Sequence, residues 1–172
     1  MRFFFVLPLA CVLALTGCDS FASGFDPTPP DLPLPPLGTC IYTVTDENGA
    51  TTTIEQLARF SRQLDSGTAP ALVVCDVDGE VGLLDLPYLR LSGVNEDEFL
   101  TVPVGESFNP IADYVKENGA LYYNEQGQVT IDVRDEERIG GRFRFRTLLF
   151  QSARNPPEVI VEGTFHAPVV DE

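Results

Sequence analysis

Two acidic stretches of this sequence carry side chains that could bind a metal ion. Carboxylate oxygens are ligands that calcium takes in proteins, and the candidates are Asp76, Asp78, Glu96, Asp97 and Glu98. The first stretch lacks EF-hand spacing, because its sixth position is Val81 where glycine is needed and its twelfth is Pro87 where a bidentate glutamate is needed. A looser calcium site stays open, and the alternative is that both stretches are solvated turns. No other cofactor is indicated.

The sequence contains a single histidine, His166, close to its C-terminal end. Nucleophilic hydrolysis needs a base beside a serine or cysteine, and no Gly-x-Ser-x-Gly, His-Glu-x-x-His or phosphate-binding glycine loop accompanies this histidine. A glycosidase needs only two carboxylates at a suitable separation, so a carboxylate-dependent enzyme is the alternative in a chain with 26 acidic residues. This small set of candidate catalytic residues and motifs predicts a protein that is not an enzyme.

Three arginines, Arg142, Arg144 and Arg146, alternate with Phe143 and Phe145, and we call these three the arginine stripe. Arginines interleaved with aromatic side chains can stack single-stranded nucleic acid. The formal net charge of −15 opposes binding to a phosphate backbone. We therefore expect no nucleic-acid binding.

Strand alternation offers the arginine stripe a structural role. Successive residues of a β-strand point to opposite faces, so the three arginines share one face and the two phenylalanines share the other. If Ile131 on a neighbouring strand points to the same face as the phenylalanines, Asp132 must lie beside an arginine. If Val161 on the other neighbouring strand does the same, Glu158 and Glu162 lie on the arginine face. The sequence predicts an acid–base–acid ladder on a solvated face.

The chain begins with an apolar leader that ends at a cysteine. Arg2 gives a positive start, and residues 3–15 form an apolar run shorter than the roughly 20 residues that span a bilayer. The run Leu15-Thr16-Gly17-Cys18 resembles the lipobox of bacterial lipoproteins. The resemblance implies that residues 1–17 are a signal peptide cut before Cys18, and that the Cys18 thiol carries a covalent lipid. The implied location is the bacterial cell envelope, lipid-anchored, facing the periplasm or the surface. The alternative is an ordinary secretory leader.

Residues 18–39 form a proline-rich tract with six prolines between Pro27 and Pro36. Proline removes backbone donors and fixes φ, so the sequence predicts an extended, semi-rigid linker between the lipid anchor and a domain over residues 40–172. The alternative is a proline-rich ligand for another protein.

Cys40 and Cys75 are the two cysteines left once the leader is removed and Cys18 is lipidated. In an exported, oxidising setting two such thiols most simply pair, so we predict a Cys40–Cys75 disulfide.

The first part of the domain reads as a hairpin followed by a helix. Asn48-Gly49 can supply the positive φ of a tight turn between strands over residues 40–45 and 50–53. Near residues 53–65 the spacing of the apolar residues changes from that of a strand to that of a helix. Thr52 and Glu55 have the spacing of a capping box at the start of a helix. The apolar arc of this predicted amphipathic helix is Ile54, Leu57, Ala58, Phe60 and Leu64.

The remainder reads as strands divided by turns. Strands are predicted over residues 71–77, 81–86, 88–92, 99–104, 129–134, 142–150 and 158–167, and Asn118-Gly119 favours a further hairpin. We therefore predict a mainly β domain, a β-sandwich or a curled antiparallel sheet, with the one helix packed against it.

Four motifs follow one another along residues 71–170, and Gly is prominent in each. They are Val77-Asp78-Gly79, Gly127-Gln128-Val129-Thr130-Ile131, Arg138-Ile139-Gly140-Gly141-Arg142-Phe143-Arg144-Phe145 and Gly163-Thr164-Phe165. In this order they are similar to a module in lipoproteins of unknown function from Bacteroidota and their relatives, although Arg142 stands where a small residue is usual. The resemblance implies a β fold and no activity.

The sequence as a whole predicts an envelope-anchored lipoprotein with a non-enzymatic binding or structural β domain. Its expected partners are the membrane, through the lipid anchor, and an unidentified envelope protein or glycan. The alternatives are a secreted carboxylate-dependent enzyme and a calcium-dependent adhesion module.

Overall fold

The computed structural model describes residues 24–62, 71–77, 86–94, 98–150 and 156–170. Within these ranges the chain forms nine strands and one short helix. They are β1 (Thr39–Thr45), β2 (Thr51–Ser61), β3 (Leu72–Asp76), β4 (Tyr88–Gly93), α1 (Glu98–Thr101), β5 (Ser107–Phe108), β6 (Pro110–Val115), β7 (Leu121–Arg134), β8 (Arg138–Leu149) and β9 (Glu158–Val170). No helix in this part of the chain is long and apolar enough to cross a membrane. Cys18 and the calcium candidates Asp78, Glu96 and Asp97 lie outside the described residues.

Eight of the strands form one closed antiparallel sheet, which we call the barrel. The neighbours run in the order β1, β2, β3, β4, β6, β7, β8 and β9, and β9 pairs with β1 to close the ring. The two-residue strand β5 adds to β7. The prediction of a mainly β fold is confirmed, and the sheet is curled and closed on itself instead of being divided into the two layers of a sandwich.

The interior of the barrel is filled with aromatic and aliphatic side chains. Phe143 stacks on Phe145 and on Phe165, with ring centroids 5.4 Å and 6.4 Å apart, and all three are fully buried. Alternation in β8 and β9 puts these rings on one face and their polar neighbours on the other. The concave face of the sheet carries mainly apolar side chains, and closure of the sheet removes them from water.

The helix α1 supplies a further core residue. Phe99 is fully buried and packs edge-on against Phe108, with ring centroids 4.9 Å apart, and it also contacts Phe60 and Phe165. The predicted strand over residues 99–104 is therefore wrong: its first three residues are helical, and the next strand begins at Ser107. A single helical turn orients Phe99 toward the core and is too short to carry an apolar period of its own.

Three glycines from the sequence motifs lie within strands and face the barrel interior. Gly127, Gly141 and Gly163 stand opposite Phe145, Phe165 and Phe143 in the register of the sheet. A Cβ atom at any of these positions would come closer than 3.0 Å to the backbone or Cβ of a neighbouring strand. Glycine is needed there because strands approach closely where the small barrel curves.

The predicted helix near residues 53–65 is wrong for its described part. Residues 51–61 form β2, which pairs with β1 on one side and with β3 on the other. The inward side chains are Gln56, Ala58 and Phe60, whereas Leu57 points outward and is 49% exposed. Pairing along both edges of the segment outweighs its helical period, and the β-branched run over residues 51–54 suits a strand. Residues 63–65 lie outside the described part.

The two predicted hairpins and the predicted disulfide are confirmed. Gly49 and Gly119 have φ values of 79° at the turns that join β1 to β2 and β6 to β7. Cys40 and Cys75 are joined in a disulfide with their Cα atoms 5.9 Å apart, and both are fully buried. The bond links β1 to β3 across the inner face of β2.

Candidate functional site

The arginine stripe lies on the outer face of β8, and each of its arginines contacts a carboxylate on a neighbouring strand. The pairs are Arg142 with Asp132 (Nε–Oδ2 2.9 Å, Nη2–Oδ1 3.0 Å), Arg144 with Glu162 (Nε–Oε2 3.3 Å) and Arg146 with Glu125 (Nη2–Oε2 2.6 Å). The predicted acid–base–acid ladder is confirmed for Asp132 and Glu162. The stripe is therefore neutralised locally by the barrel itself.

Two of these acids occupy irregular positions that strand alternation did not reveal. The register between β7 and β8 shifts between Asn124 and Gln126 and again between Ile131 and Val133, so Glu125 and Asp132 are the extra residues of two bulges. A bulge re-aims the side chain of its unpaired residue. Glu158 lies on the arginine face as predicted, but it stands opposite Leu148, and the carboxylate that contacts Arg146 is Glu125.

The stripe is not an open solvated face, because residues 24–37, which we call the strap, lie across it. The Phe25 ring centroid is 5.5 Å from Cζ of Arg144 and 5.8 Å from Cζ of Arg146. Nη1 of Arg142 donates a hydrogen bond to Oδ1 of Asp31 at 2.8 Å. The described part of the predicted linker is thus held against the barrel, because guanidinium groups attract both an aromatic face and a carboxylate.

The strap is joined to β9 through His166. The Nδ1 atom of His166 is 3.0 Å from the carbonyl oxygen of Pro35, and the backbone N–H of Gly38 donates to the carbonyl oxygen of His166 at 2.7 Å. His166 is buried, as are the side chains of Pro29 and Pro35. The only histidine of the sequence therefore has a structural contact with the strap.

Local hydrogen bonds order the beginning of the strap. The backbone N–H of Thr28 donates to Oδ1 of Asp26 at 2.9 Å. Hydrogen bonds from the Thr28 side chain and backbone hold the pKa of Asp26 below its usual value, and Arg144 adds a smaller effect in the same direction. The Asp26 carboxylate is thus a stable negative charge near the stripe.

The described calcium candidates are engaged in other contacts. Asp76 is buried, and its Oδ2 atom accepts a hydrogen bond from Nη2 of Arg59 at 2.9 Å. Oε2 of Glu98 accepts from the backbone N–H of Val94 at 2.7 Å. Among the described residues no three potential ligands come together to hold a metal ion. Calcium binding by the sequence's acidic stretches stays a prediction.

An open cleft of about 660 Å³ lies between the β1–β2 hairpin and the β6–β7 turn. Its walls carry hydroxyl, amide, ammonium and carboxylate groups, from residues that include Thr52, Gln56, Tyr114, Lys116 and Glu117. Sequence reasoning missed this cleft, because it assigned Gln56 to a helix and therefore did not bring it near the second hairpin.

Two tyrosines support the cleft. The Tyr42 hydroxyl donates to Oε1 of Gln56 at 2.8 Å, and Nε2 of Gln56 donates to the carbonyl oxygen of Pro87, so the Gln56 side chain is fixed. Burial raises the pKa of Tyr42 above its ordinary value, and burial, Tyr122 and Glu117 raise the pKa of Tyr114 to about 12. Both phenols stay neutral near pH 7, so the cleft offers hydrogen bonds and not a phenolate base.

The chain matches no protein-family model, no curated protein and no solved structure.

The arginine stripe leads to a prediction about stability and nucleic acid. Replacing Arg144 with Glu places two carboxylates together at Glu162 and should lower the free energy of unfolding by about 1 kcal/mol at low salt, and by less at high salt. Arg144→Gln, which removes the charge without reversing it, should cost less. Denaturant unfolding at two ionic strengths measures both variants. Fluorescence anisotropy with a labelled oligonucleotide should detect no binding by the unmodified chain; binding at physiological salt that Arg144→Glu abolishes would contradict the structural role.

Proposed function

We propose that this protein is an envelope lipoprotein whose non-enzymatic barrel binds or supports another envelope component. The observation that carries the proposal is the lipobox-like run Leu15-Thr16-Gly17-Cys18 at the end of an apolar leader. A single acyl chain binds a membrane only weakly, so stable anchoring needs at least one further membrane-binding group. The several acyl chains that bacterial lipoproteins carry on such a cysteine satisfy that requirement. The barrel then needs no charge attraction to the membrane.

The non-enzymatic part of the proposal is supported by the contacts that hold the single histidine of the sequence and the buried Asp76. His166 is buried against the Pro35 carbonyl, and Asp76 is paired with Arg59. General acid–base catalysis needs a group within hydrogen-bond reach of a substrate, and these two side chains are held by the fold instead. The cleft near Tyr114 is the concave surface that we assign to a partner in the envelope.

The test of the anchor is the Cys18→Ser substitution in the full chain, expressed in a bacterial host. We expect the unmodified chain to fractionate with membranes and to have the mass of a protein that begins at an acylated Cys18. The substitution should abolish lipidation and leave the chain outside the detergent-extracted membrane fraction. The matched control is Cys11→Ser, which changes a cysteine within the leader and should leave lipidation unchanged.

Intact mass of membrane-extracted protein decides the outcome. An unmodified thiol at Cys18, retention of residues 3–17, or lipidation that survives Cys18→Ser would each overturn the proposal.

A further inference from the structure

The strap is held to the barrel by side chains and not by strand pairing. Prolines are spread along it and lack the backbone N–H that a sheet needs, so it cannot join the sheet as a further strand. Its contacts with the barrel include the stacking of Phe25 on the stripe, the Asp31–Arg142 ion pair and the carbonyl of Pro35 on His166, and Pro29 and Pro35 are buried. Such a segment can detach without breaking the hydrogen-bond ladder of the barrel.

The arginine stripe under the strap keeps its carboxylate partners when the strap detaches. Every arginine of the stripe has its own carboxylate on the barrel, from Asp132, Glu162 or Glu125. Loss of the strap therefore leaves each guanidinium with an acidic partner. The Asp31 carboxylate, by contrast, is fully exposed, so its bond to Arg142 is open to competition by salt.

Docking of the strap changes how far the barrel can stand from an anchor at Cys18. Six residue steps separate Cys18 from the start of the strap at Gly24, and an extended chain of that length reaches roughly 20 Å. With the strap detached, twenty steps separate Cys18 from Gly38, and the reach is roughly 65 Å. The docked strap therefore keeps the Arg144–Arg146 side of the barrel close to the anchor.

We propose that the strap is a releasable tether that sets the height of the barrel above the membrane. Docked on the arginine stripe, it holds the barrel near the bilayer; detached by salt or by an acidic competitor for Arg142, it lets the barrel extend outward. The height effect rests on the proposed lipid anchor, whereas the docking itself does not.

A tryptophan reporter tests the docking. The sequence contains no tryptophan, so Phe25→Trp introduces a unique fluorophore where an aromatic ring lies over two guanidiniums. In this background Asp31→Arg sets a positive charge against Arg142 and should increase acrylamide quenching severalfold. The matched control is Glu47→Arg, which makes the same charge change at an exposed turn position and should leave quenching unchanged. High salt should raise quenching in the reporter chain without a further substitution.

Equal quenching in the Asp31→Arg and Glu47→Arg chains would overturn the docking. Because Asp31 is fully exposed, its replacement does not disturb the barrel core, and circular dichroism spectra of the two chains should coincide.

Energy transfer to the bilayer tests the height. A fluorophore is attached at Val104→Cys, an exposed position, in the full lipidated chain on phosphatidylcholine vesicles that carry an acceptor lipid. Transfer should fall in Asp31→Arg relative to Glu47→Arg. If both chains bind the vesicles and show equal energy transfer, the tether proposal is wrong, whereas the proposed lipid anchor is not contradicted. Chains that do not float with vesicles would overturn the anchor and the tether together, and tryptophan quenching would still decide whether the strap docks.

Discussion

Reduction of the Cys40–Cys75 disulfide should lower the free energy of unfolding by about 4 kcal/mol. The bond closes a loop with a sequence separation of 35, and loop closure restricts the unfolded chain more than the folded one. Both sulfur-bearing side chains are fully buried inside the barrel, so the bond also fixes β1 relative to β3 across the intervening β2. The expected shift of the melting temperature is roughly 10 °C.

The measurement is thermal and denaturant unfolding of the full chain with and without a reductant. The control is the double substitution Cys40→Ala with Cys75→Ala, whose stability should no longer respond to the reductant. Cys11 and Cys18 remain in this control, so any effect of the reductant that does not involve the Cys40–Cys75 bond is seen separately. If the reductant leaves the melting temperature of the unmodified chain unchanged, the disulfide does not stabilise the fold.

Replacement of Gly163 by Ala should destabilise the barrel by about 3 kcal/mol, near the upper end of the range for overpacked cores. A Cβ atom at this position would lie within 3.0 Å of the Ile41 carbonyl oxygen and of the Tyr42 backbone and Cβ. Backbone atoms of a paired strand cannot move aside as the end of a flexible side chain can. The collision would force β1 and β9 apart at the seam that closes the ring.

The matched control for this substitution is Gly24→Ala, because a Cβ atom at Gly24 meets nothing within 4 Å. Chemical unfolding followed by far-UV circular dichroism should show a lower midpoint for Gly163→Ala and an unchanged midpoint for Gly24→Ala. If Gly163→Ala is as stable as the unmodified chain, the close approach of β9 to β1 is not what requires glycine there.

Local chemistry in the sequence was enough to predict the features that depend on near neighbours. The turns at Asn48-Gly49 and Asn118-Gly119 follow from the positive φ that glycine adopts easily, and this property does not depend on the rest of the chain. Alternation along β8 and β9 predicted which side chains are inside, because a strand has a period of two wherever it lies. Cys40 and Cys75 could be paired by elimination.

Only the tertiary structure decided what depends on distant partners. The segment over residues 51–61 has a helical period, yet it is a strand because β1 and β3 pair with its two edges. Gly127, Gly141 and Gly163 belonged to recognisable motifs, but their purpose appeared only when the curvature of the barrel brought neighbouring strands against them.

The arginine stripe shows the same division within one feature. Alternation placed its three arginines on one face and predicted Asp132 and Glu162 beside them, since register follows from the apolar pattern. Glu158 lies on that face too, but a bulge places Glu125 in contact with Arg146, and a bulge is set by local departures from pairing that no period encodes. The proline-rich strap could be recognised as extended from its composition alone. Its attachment to the stripe depends on Phe25 and Asp31 meeting arginines more than 100 positions later, and only the folded barrel brings them together.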